Sequence, residues 1–232
     1  MDVKSALLGG SIAAMLLAGP AAAVPVTLTK LAGVTGGTIA NTAVYKADLS
    51  ILGAFEIAAL RIRDTSGGFG GAPGQFSGFD LDAIKISTAD CADAGCAAAA
   101  MSIAALSLDG GHVFFTPGTQ RLPVDPKLFG TDAGGTGVDF AVATLGDFDG
   151  ESTTLTPDGF LSLGDFGEIA VNLLAAITGA GYFLYIGEVG DNGEVAGSDI
   201  EVLSRPVPEP GMIGLLGLSL VGLGVARRRK AA

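Results

Sequence analysis

Apolar and polar residues alternate over short stretches of the chain, and clusters of glycine, aspartate and proline separate these stretches. Alternation with a period of two is typical of a β-strand with one buried face. The pattern predicts strands at residues 42–49, 56–63, 78–87, 102–108, 112–116, 139–144, 160–163, 168–173, 182–189 and 199–204. Many short strands separated by turn residues favour an all-β fold, and we predict a single jelly-roll-like β-sandwich.

Two details of this pattern refine the prediction. Residues 168–177 are apolar enough to form a helix, but Ile169, Val171 and Leu173 recur at a period of two and favour a strand. The tripeptide Asp109-Gly110-Gly111 predicts a hairpin turn between residues 102–108 and 112–116.

The first apolar end of the chain has the pattern of an export signal. Residues 6–19 form an uncharged run of 14 residues after Lys4, and Pro20 and three alanines follow the run. Small residues after a short apolar run are typical of a secretory signal peptide. We predict a signal helix in residues 1–23 and cleavage by signal peptidase between Ala23 and Val24. A buried core helix fits less well, because the run is short and lies at the N-terminus.

The second apolar end combines three features in order: Pro208-Glu209-Pro210, an uncharged stretch at residues 211–226, and the basic residues Arg227, Arg228, Arg229 and Lys230. Sixteen helical residues span roughly 24 Å, so a crossing helix requires a thinned bilayer or snorkelling side chains. Four cations favour the cytoplasmic side of a membrane. We therefore predict a transmembrane helix at residues 211–226, a cytoplasmic basic end at 227–230 and an ectodomain at 24–206.

These three features of residues 207–232 together resemble the PEP-CTERM sorting signal of Gram-negative bacteria. The resemblance implies processing by an exosortase and transient anchoring in the inner membrane, followed by display at the cell surface or release outside the cell. It also implies a host that makes exopolysaccharide and biofilm matrix. A plain single-pass anchor predicts the same topology without cleavage of the tail.

The charge of the predicted ectodomain restricts its partners. Residues 24–206 contain 22 acidic and 8 basic side chains, a net charge of −14. So acidic a surface repels nucleic acid and anionic lipid, and it attracts divalent cations. We therefore predict no nucleic-acid partner.

The two cysteines of the chain, Cys91 and Cys96, lie five positions apart. In an oxidising compartment such a pair favours a disulfide, which in a loop of this length contributes about 2 kcal/mol of stability. Two thiolates are too few for a zinc site, and the spacing is longer than in CxxC redox motifs.

Acidic loops are the remaining candidate sites. Asp147, Asp149 and Glu151 place three carboxylates at alternate positions beside a glycine, and residues 80–82 and 191–194 form smaller clusters. Calcium takes six to eight oxygen ligands, so we name Asp147, Asp149 and Glu151 as the candidate calcium ligands. The spacing departs from that of an EF-hand loop, and a solvated turn is the alternative interpretation.

Residues that could support catalysis are scarce. His112 is the one histidine, and no nucleophile motif accompanies it, so we predict no catalytic residue and no cofactor apart from the candidate calcium. We predict a non-catalytic surface or matrix protein associated with exopolysaccharide. The alternative is a carbohydrate-binding or calcium-dependent adhesion module. Sugar binders commonly stack their ligands on the faces of tryptophan and tyrosine rings. The chain has no tryptophan and only three tyrosines, which favours the matrix protein over the carbohydrate-binding module.

Overall fold

Two antiparallel β-sheets form the body of the protein. The computed structural model describes residues 21–195 and 198–208. Within these residues the first sheet contains, in spatial order, β1 (Ala23–Pro25), β10 (Ser198–Leu203), β4 (Glu56–Asp64), β8 (Glu168–Thr178) and β6 (Val113–Thr116). The second sheet contains β2 (Thr29–Lys30), β3 (Thr42–Asp48), β9 (Phe183–Val189), β5 (Asp80–Ser87) and β7 (Leu161–Ser162). The predicted all-β class is confirmed, and residues 168–178 form a strand as expected.

Successive strands alternate between the two sheets. From β3 to β10, each strand belongs to the sheet opposite to that of the strand before it. The chain therefore passes from one sheet to the other at every connection in this stretch. Alternation of this kind favours the jelly-roll-like connectivity, which stays a prediction.

The main core lies between the sheets. Leu60 and Ile62 of β4 belong to one buried cluster with Ile84 of β5 and Ile186 of β9, and each is at most 1% exposed. Burial of one such side chain contributes about 1.5–3 kcal/mol of transfer free energy. The alternating apolar positions of the sequence thus supply both inner faces of the sandwich.

The second sheet is also covered on its outer face. A short helix, α1 (Ala94–Ala99), and Phe148 pack there against Ala83 of β5 and Tyr185 of β9. The residues that follow these two in sequence, Ile84 and Ile186, belong to the main core. All eight residues of β5 are buried as a result. Residues three positions apart in a regular strand point to opposite faces. The pairing of β5 with β9 shifts register between Leu81 and Ile84, and both side chains therefore reach the main core.

Two predicted strands are wrong. Residues 102–108 contribute one bridge, between Leu106 and Leu173, and form no strand, so Asp109-Gly110-Gly111 makes a turn without the predicted hairpin. Residues 139–144 form a turn because the Asp139 carboxylate accepts from the Ala141 N–H and the Asp139 carbonyl accepts from Val142. A side chain that bonds the nearby main chain competes with strand pairing.

The predicted terminal helices fall largely outside the described residues. Residues 1–20 and 211–226 lie there, while Ala21 to Ala23 are described and enter β1. No helix among residues 21–195 and 198–208 has the length and apolar character needed to cross a membrane.

Candidate functional site

The segment that leads to the predicted sorting tripeptide is fixed by Asn172. The Asn172 Nδ2 donates to the Val207 carbonyl oxygen at 2.9 Å, and Asn172 Oδ1 accepts from the Val207 N–H at 2.7 Å. Asn172 lies in β8, and β4 lies between β8 and β10 in the sheet. After β10 ends, residues 204–207 therefore cross the end of β4 to reach Asn172. Pro208 follows and is exposed. Glu209, Pro210 and the basic residues 227–230 lie outside the described residues.

The predicted signal-cleavage site lies in the edge strand beside β10. Ala23 pairs with Leu203 and Val24 with Val202, in antiparallel register. The Ser204 N–H also donates to the Ala22 carbonyl. The chain therefore enters β1 and leaves β10 at the same end of the first sheet, which we call the tail end.

The predicted disulfide between Cys91 and Cys96 is present. Its loop lies on the outer face of the second sheet, where the Cys91 N–H donates to the Tyr185 hydroxyl at 2.9 Å and that hydroxyl donates to the Ala89 carbonyl. The Asp93 carboxylate caps α1 by accepting from the Cys96 N–H at 2.8 Å. Covalent and hydrogen-bonded contacts thus fix the same loop.

The three candidate calcium ligands engage separate partners. Asp147 and Asp149 are exposed, and Asp149 Oδ1 accepts from the Thr144 hydroxyl at 2.9 Å. Glu151 is buried, and its Oε2 accepts from the Ala40 N–H at 2.6 Å. Among the described residues, no three histidine, cysteine, aspartate or glutamate side chains are arranged to hold a metal ion. Calcium binding by Asp147, Asp149 and Glu151 stays a prediction, without a formed set of ligands.

The same acidic loop packs on the second sheet through Phe148. A Cβ at Gly187 would lie 2.7 Å from Phe148 Cδ1, so the absence of a side chain in β9 makes room for the ring. Beneath the loop, Asp82 is fully buried and accepts from the Thr42 hydroxyl at 2.5 Å. Burial, opposed by that hydrogen bond, raises the pKa of Asp82 to about 8.

A network of buried carboxylates lies at the end of the sandwich opposite to the tail end, which we call the distal end. The Asn192 Nδ2 donates to Glu188 Oε1 at 2.6 Å and to Glu194 Oε2 at 3.3 Å, in the amide orientation that also lets Asn192 Oδ1 accept from the Gly71 N–H. Glu194 Oε2 further accepts from the Asp80 N–H at 3.1 Å. Burial and the charge of Asp80 raise the pKa of Glu194 to about 9. Sequence reasoning missed Glu188, although one acidic residue in an apolar strand is a usable signal.

Arg121 is the cation of this network. Its Nε lies 3.2 Å from Asp165 Oδ1, and its Nη2 lies 3.9 Å from Glu194 Oε1. Its Nη1 donates to the carbonyls of Gly68 and Gly70 in the glycine-rich loop. One guanidinium therefore fixes that loop beside the buried carboxylates.

Comparison with known proteins identifies the tail. The family model described as the PEP-CTERM protein-sorting motif matches residues 206–230. The chain carries a PEP-CTERM sorting motif. The match includes Pro208, Glu209 and Pro210 and the basic residues Arg227, Arg228, Arg229 and Lys230, and it begins one residue before Val207. No curated protein and no solved structure matches the chain.

A motif of this kind implies export, sorting to the cell surface and processing by an exosortase. The one histidine of the chain lies in an exposed turn, where His112 Nδ1 is 2.8 Å from Asp109 Oδ1. The Ser107 hydroxyl donates to the other carboxylate oxygen, Asp109 Oδ2, at 2.7 Å. A catalytic triad requires the serine to bond the histidine. Here the aspartate lies between them, and the pKa of Asp109 falls to about 2 because His112 and Ser107 both bond it.

Proposed function

We propose that the chain is a non-catalytic protein of the cell surface or extracellular matrix, associated with exopolysaccharide in biofilm. Signal peptidase and an exosortase act on it as processing enzymes, and the inner membrane holds it transiently during sorting. The observation that carries the proposal is the position of the two ends. The PEP-CTERM motif begins beside Val207, which Asn172 fixes, and the chain enters β1 at the same end of the sheet.

This arrangement suits a body held against a membrane from one side. Ala22 is bonded to Ser204, and Pro208 directly follows the fixed Val207. A signal helix and a transmembrane helix attached without spacers lie in one membrane most simply when both attachment points share one end of the body. The opposite, distal end then faces away from the membrane.

Two further observations support the non-catalytic part of the proposal. The Ser107 hydroxyl and the His112 ring both bond Asp109, so the serine lacks the histidine as its general base. The disulfide between Cys91 and Cys96 favours an oxidising compartment outside the cytoplasm. The formal net charge of −14 over residues 24–206 suits hydrated matrix more than contact with anionic lipid.

Intact-mass analysis in the producing bacterium tests the sorting. We compare the wild type with a variant in which Pro208, Glu209 and Pro210 are all alanine, and with Pro206→Ala as the matched control outside the tripeptide. We expect the wild type and the control to begin at Val24 and to lose or exchange their tails, and we expect the triple variant to keep its tail in the inner membrane. An uncut chain in the cytoplasm with free thiols, or a triple variant processed like the wild type, contradicts the proposal.

A strain that makes no exopolysaccharide tests the matrix association separately. We expect the processed protein to remain with the cell surface or matrix of the parent strain and to appear in the medium of the polysaccharide-deficient strain. Equal distribution in both strains contradicts the association with exopolysaccharide and leaves the sorting proposal intact.

A further inference from the structure

A cavity of about 320 Å³ opens at the distal end of the sandwich. Its volume lies at the lower end of the range for ligand pockets in proteins, about 300–1,000 Å³. Phe76, Phe160, Pro157 and Val189 supply apolar walls, and the ring centroids of the two phenylalanines lie 6.0 Å apart. The cavity therefore offers a compact apolar surface to a ring-sized ligand.

The three acidic clusters of the sequence meet at this cavity. Asp80, Glu151 and Asn192 come from residues 80–82, 147–151 and 191–194, and each contributes to the lining. Asp80 is 6% exposed and Glu151 is 8% exposed, so both carboxyl groups are buried in the cavity wall. Segments far apart in the chain thus place two acids and one amide around one space.

The cavity lies far from the sorting motif. Ser198, at the start of β10, pairs with Asp64, and the Ser198 hydroxyl donates to the Glu194 carbonyl beside the cavity. Leu203, at the other end of β10, pairs with Ala59 at the tail end. A strand of six residues separates the two regions by about 17 Å. A protein held at its tail end therefore presents this cavity to the surroundings of the cell.

The described lining of the cavity is acidic without a basic residue. Its two acids are Asp80 and Glu151. Arg121, the nearest cation of the carboxylate network, is engaged by Asp165 and by the glycine-rich loop. Burial raises the pKa of Asp80 well above its ordinary value, and the hydrogen bond from the Ser162 hydroxyl and the charge of Arg121 oppose that effect. A ligand that brings a cation between apolar walls completes this arrangement, and the phenylalanine rings also attract cations.

We propose that the distal cavity binds a small organic cation, an ammonium group carried on a compact ring, with Glu151 and Asp80 receiving the ammonium and Phe76 and Phe160 contacting the ring. An amino sugar and an apolar cyclic amine share this chemistry. Since exopolysaccharide is one source of amino sugars, the experiment separates the two kinds of ring.

Calorimetric titration of the protein purified from its producing bacterium tests the proposal at low salt. The probes are cyclohexylamine with cyclohexanol as its neutral counterpart, and glucosamine with N-acetylglucosamine as its neutral counterpart. We expect at least one amine to bind about tenfold or more tightly than its neutral counterpart, because hydrogen bonds between charged groups are stronger than those between neutral groups. Binding by glucosamine identifies the ring as a sugar, and binding by cyclohexylamine alone identifies it as an apolar ring.

Two variants assign the binding to the cavity. Glu151→Gln keeps an acceptor for the Ala40 N–H and removes one charge, and we expect the affinity for the amine to fall about tenfold. Ala72→Trp fills the cavity mouth from an exposed position, and we expect it to abolish binding. Asp48→Asn is the control for the lost charge and Ala133→Trp is the control for the added ring. Both positions are exposed and outside the cavity lining, so we expect both variants to bind the amine like the wild type.

Three results overturn the proposal: neither amine binds at millimolar concentration, the neutral counterparts bind as tightly as the amines, or Glu151→Gln and Ala72→Trp bind like the wild type. None of these results concerns the processing of the tail, so failure here is distinguishable from failure of the sorting proposal.

Discussion

The side chain of Asn172 forms two hydrogen bonds with the main chain of Val207, one through each end of its amide. The amide thereby pairs with the main chain of a single residue, four positions after the end of β10, as a neighbouring strand would. Because Pro208 comes next, the PEP-CTERM tripeptide starts at a fixed point on the body. The match to the family model thus begins on the folded sandwich.

Asn172→Ala removes both hydrogen bonds, so we expect the free energy of unfolding to fall by about 1–2 kcal/mol. We also expect the Val207 amide to exchange its hydrogen faster, which mass spectrometry of the peptide that contains it measures. Asn41→Ala, at an exposed asparagine next to β3, is the control and should leave that exchange rate unchanged. Slow exchange at Val207 in both variants would show that the contact does not fix the segment.

Tyr185 connects the disulfide loop to the second sheet, and Tyr185→Phe tests that connection. The change leaves the Cys91 N–H and the Ala89 carbonyl without their partner in a buried place, so we expect a loss of about 1–3 kcal/mol. Urea denaturation measures it. Tyr182→Phe, a nearby half-buried tyrosine, serves as the control, with an expected change within about 0.5 kcal/mol. Equal losses in the two variants would contradict the assigned role of the hydroxyl.

Removal of the disulfide by the double variant Cys91→Ala and Cys96→Ala should lower the free energy of unfolding by about 2 kcal/mol, because the unfolded chain gains freedom in a short loop. The same denaturation experiment measures this loss. A reducing agent should destabilise the wild type by a similar amount and leave the double variant unaffected. A double variant that still responds to the reducing agent would mean that the effect has another origin.

The buried acids predict that stability falls as pH rises. Burial raises the pKa of Asp82 to about 8 and, with the charge of Asp80, that of Glu194 to about 9. An unfolded chain releases these protons near pH ~4. Between about pH 4 and the pKa values of the folded protein, the folded state therefore holds protons that the unfolded state has lost. The stability contribution is therefore complete below pH ~4 and is lost progressively up to about pH 8–9.

Urea unfolding across about pH 5 to pH 8 measures this dependence, with a slope of at most about 1.4 kcal/mol per pH unit for each group. Asp82→Asn keeps an acceptor for the Thr42 hydroxyl and has no proton to lose, so we expect a shallower slope. Asp199→Asn, at an exposed position of β10, should retain the wild-type slope. A wild-type protein whose stability rises across this range would contradict the argument.

Chelation of calcium should leave the melting temperature unchanged. Glu151 accepts from the Ala40 N–H and Asp149 from the Thr144 hydroxyl, and no three acidic side chains of the described residues are arranged to hold a metal ion. A protein that binds a metal in its folded state loses stability when the metal is removed. Melting with and without a chelator, followed by calcium addition, is the measurement. A melting temperature that falls with chelator and recovers with calcium would instead support the calcium site predicted from the sequence.

Local pattern was sufficient to predict most strands of the sandwich. Strands such as β4 and β8 carry apolar residues at alternating positions, Leu60 and Ile62 in β4 and Ile169 and Val171 in β8, and the burial of these positions in the main core explains the pattern. The short strand β1 escaped prediction because three residues carry too little pattern, and its existence depends on pairing with β10, which is distant in the chain. Residues 139–144 were assigned wrongly for a different, local reason: the hydrogen bonds of Asp139 to the nearby main chain outweigh the pattern of an apolar run.

The sorting motif and the disulfide were predictable because each is encoded by neighbouring residues. The cavity was not, because Asp80, Glu151 and Asn192 approach one another only through the order of strands in the second sheet and the loops beside it. Each acidic cluster was visible alone as a candidate ion site. Their meeting around an apolar space, and the role of Arg121 in fixing the adjacent loop, depend on contacts between distant segments.

The pairing of β1 with β10 also bears on the timing of folding during export. The strand nearest the start of the sandwich finds its partner in the last strand, so the edge of the first sheet closes only after almost the whole ectodomain has crossed the membrane. Contacts between segments so distant in sequence form slowly. For a chain exported as we propose, translocation of most of the sandwich therefore precedes completion of the first sheet.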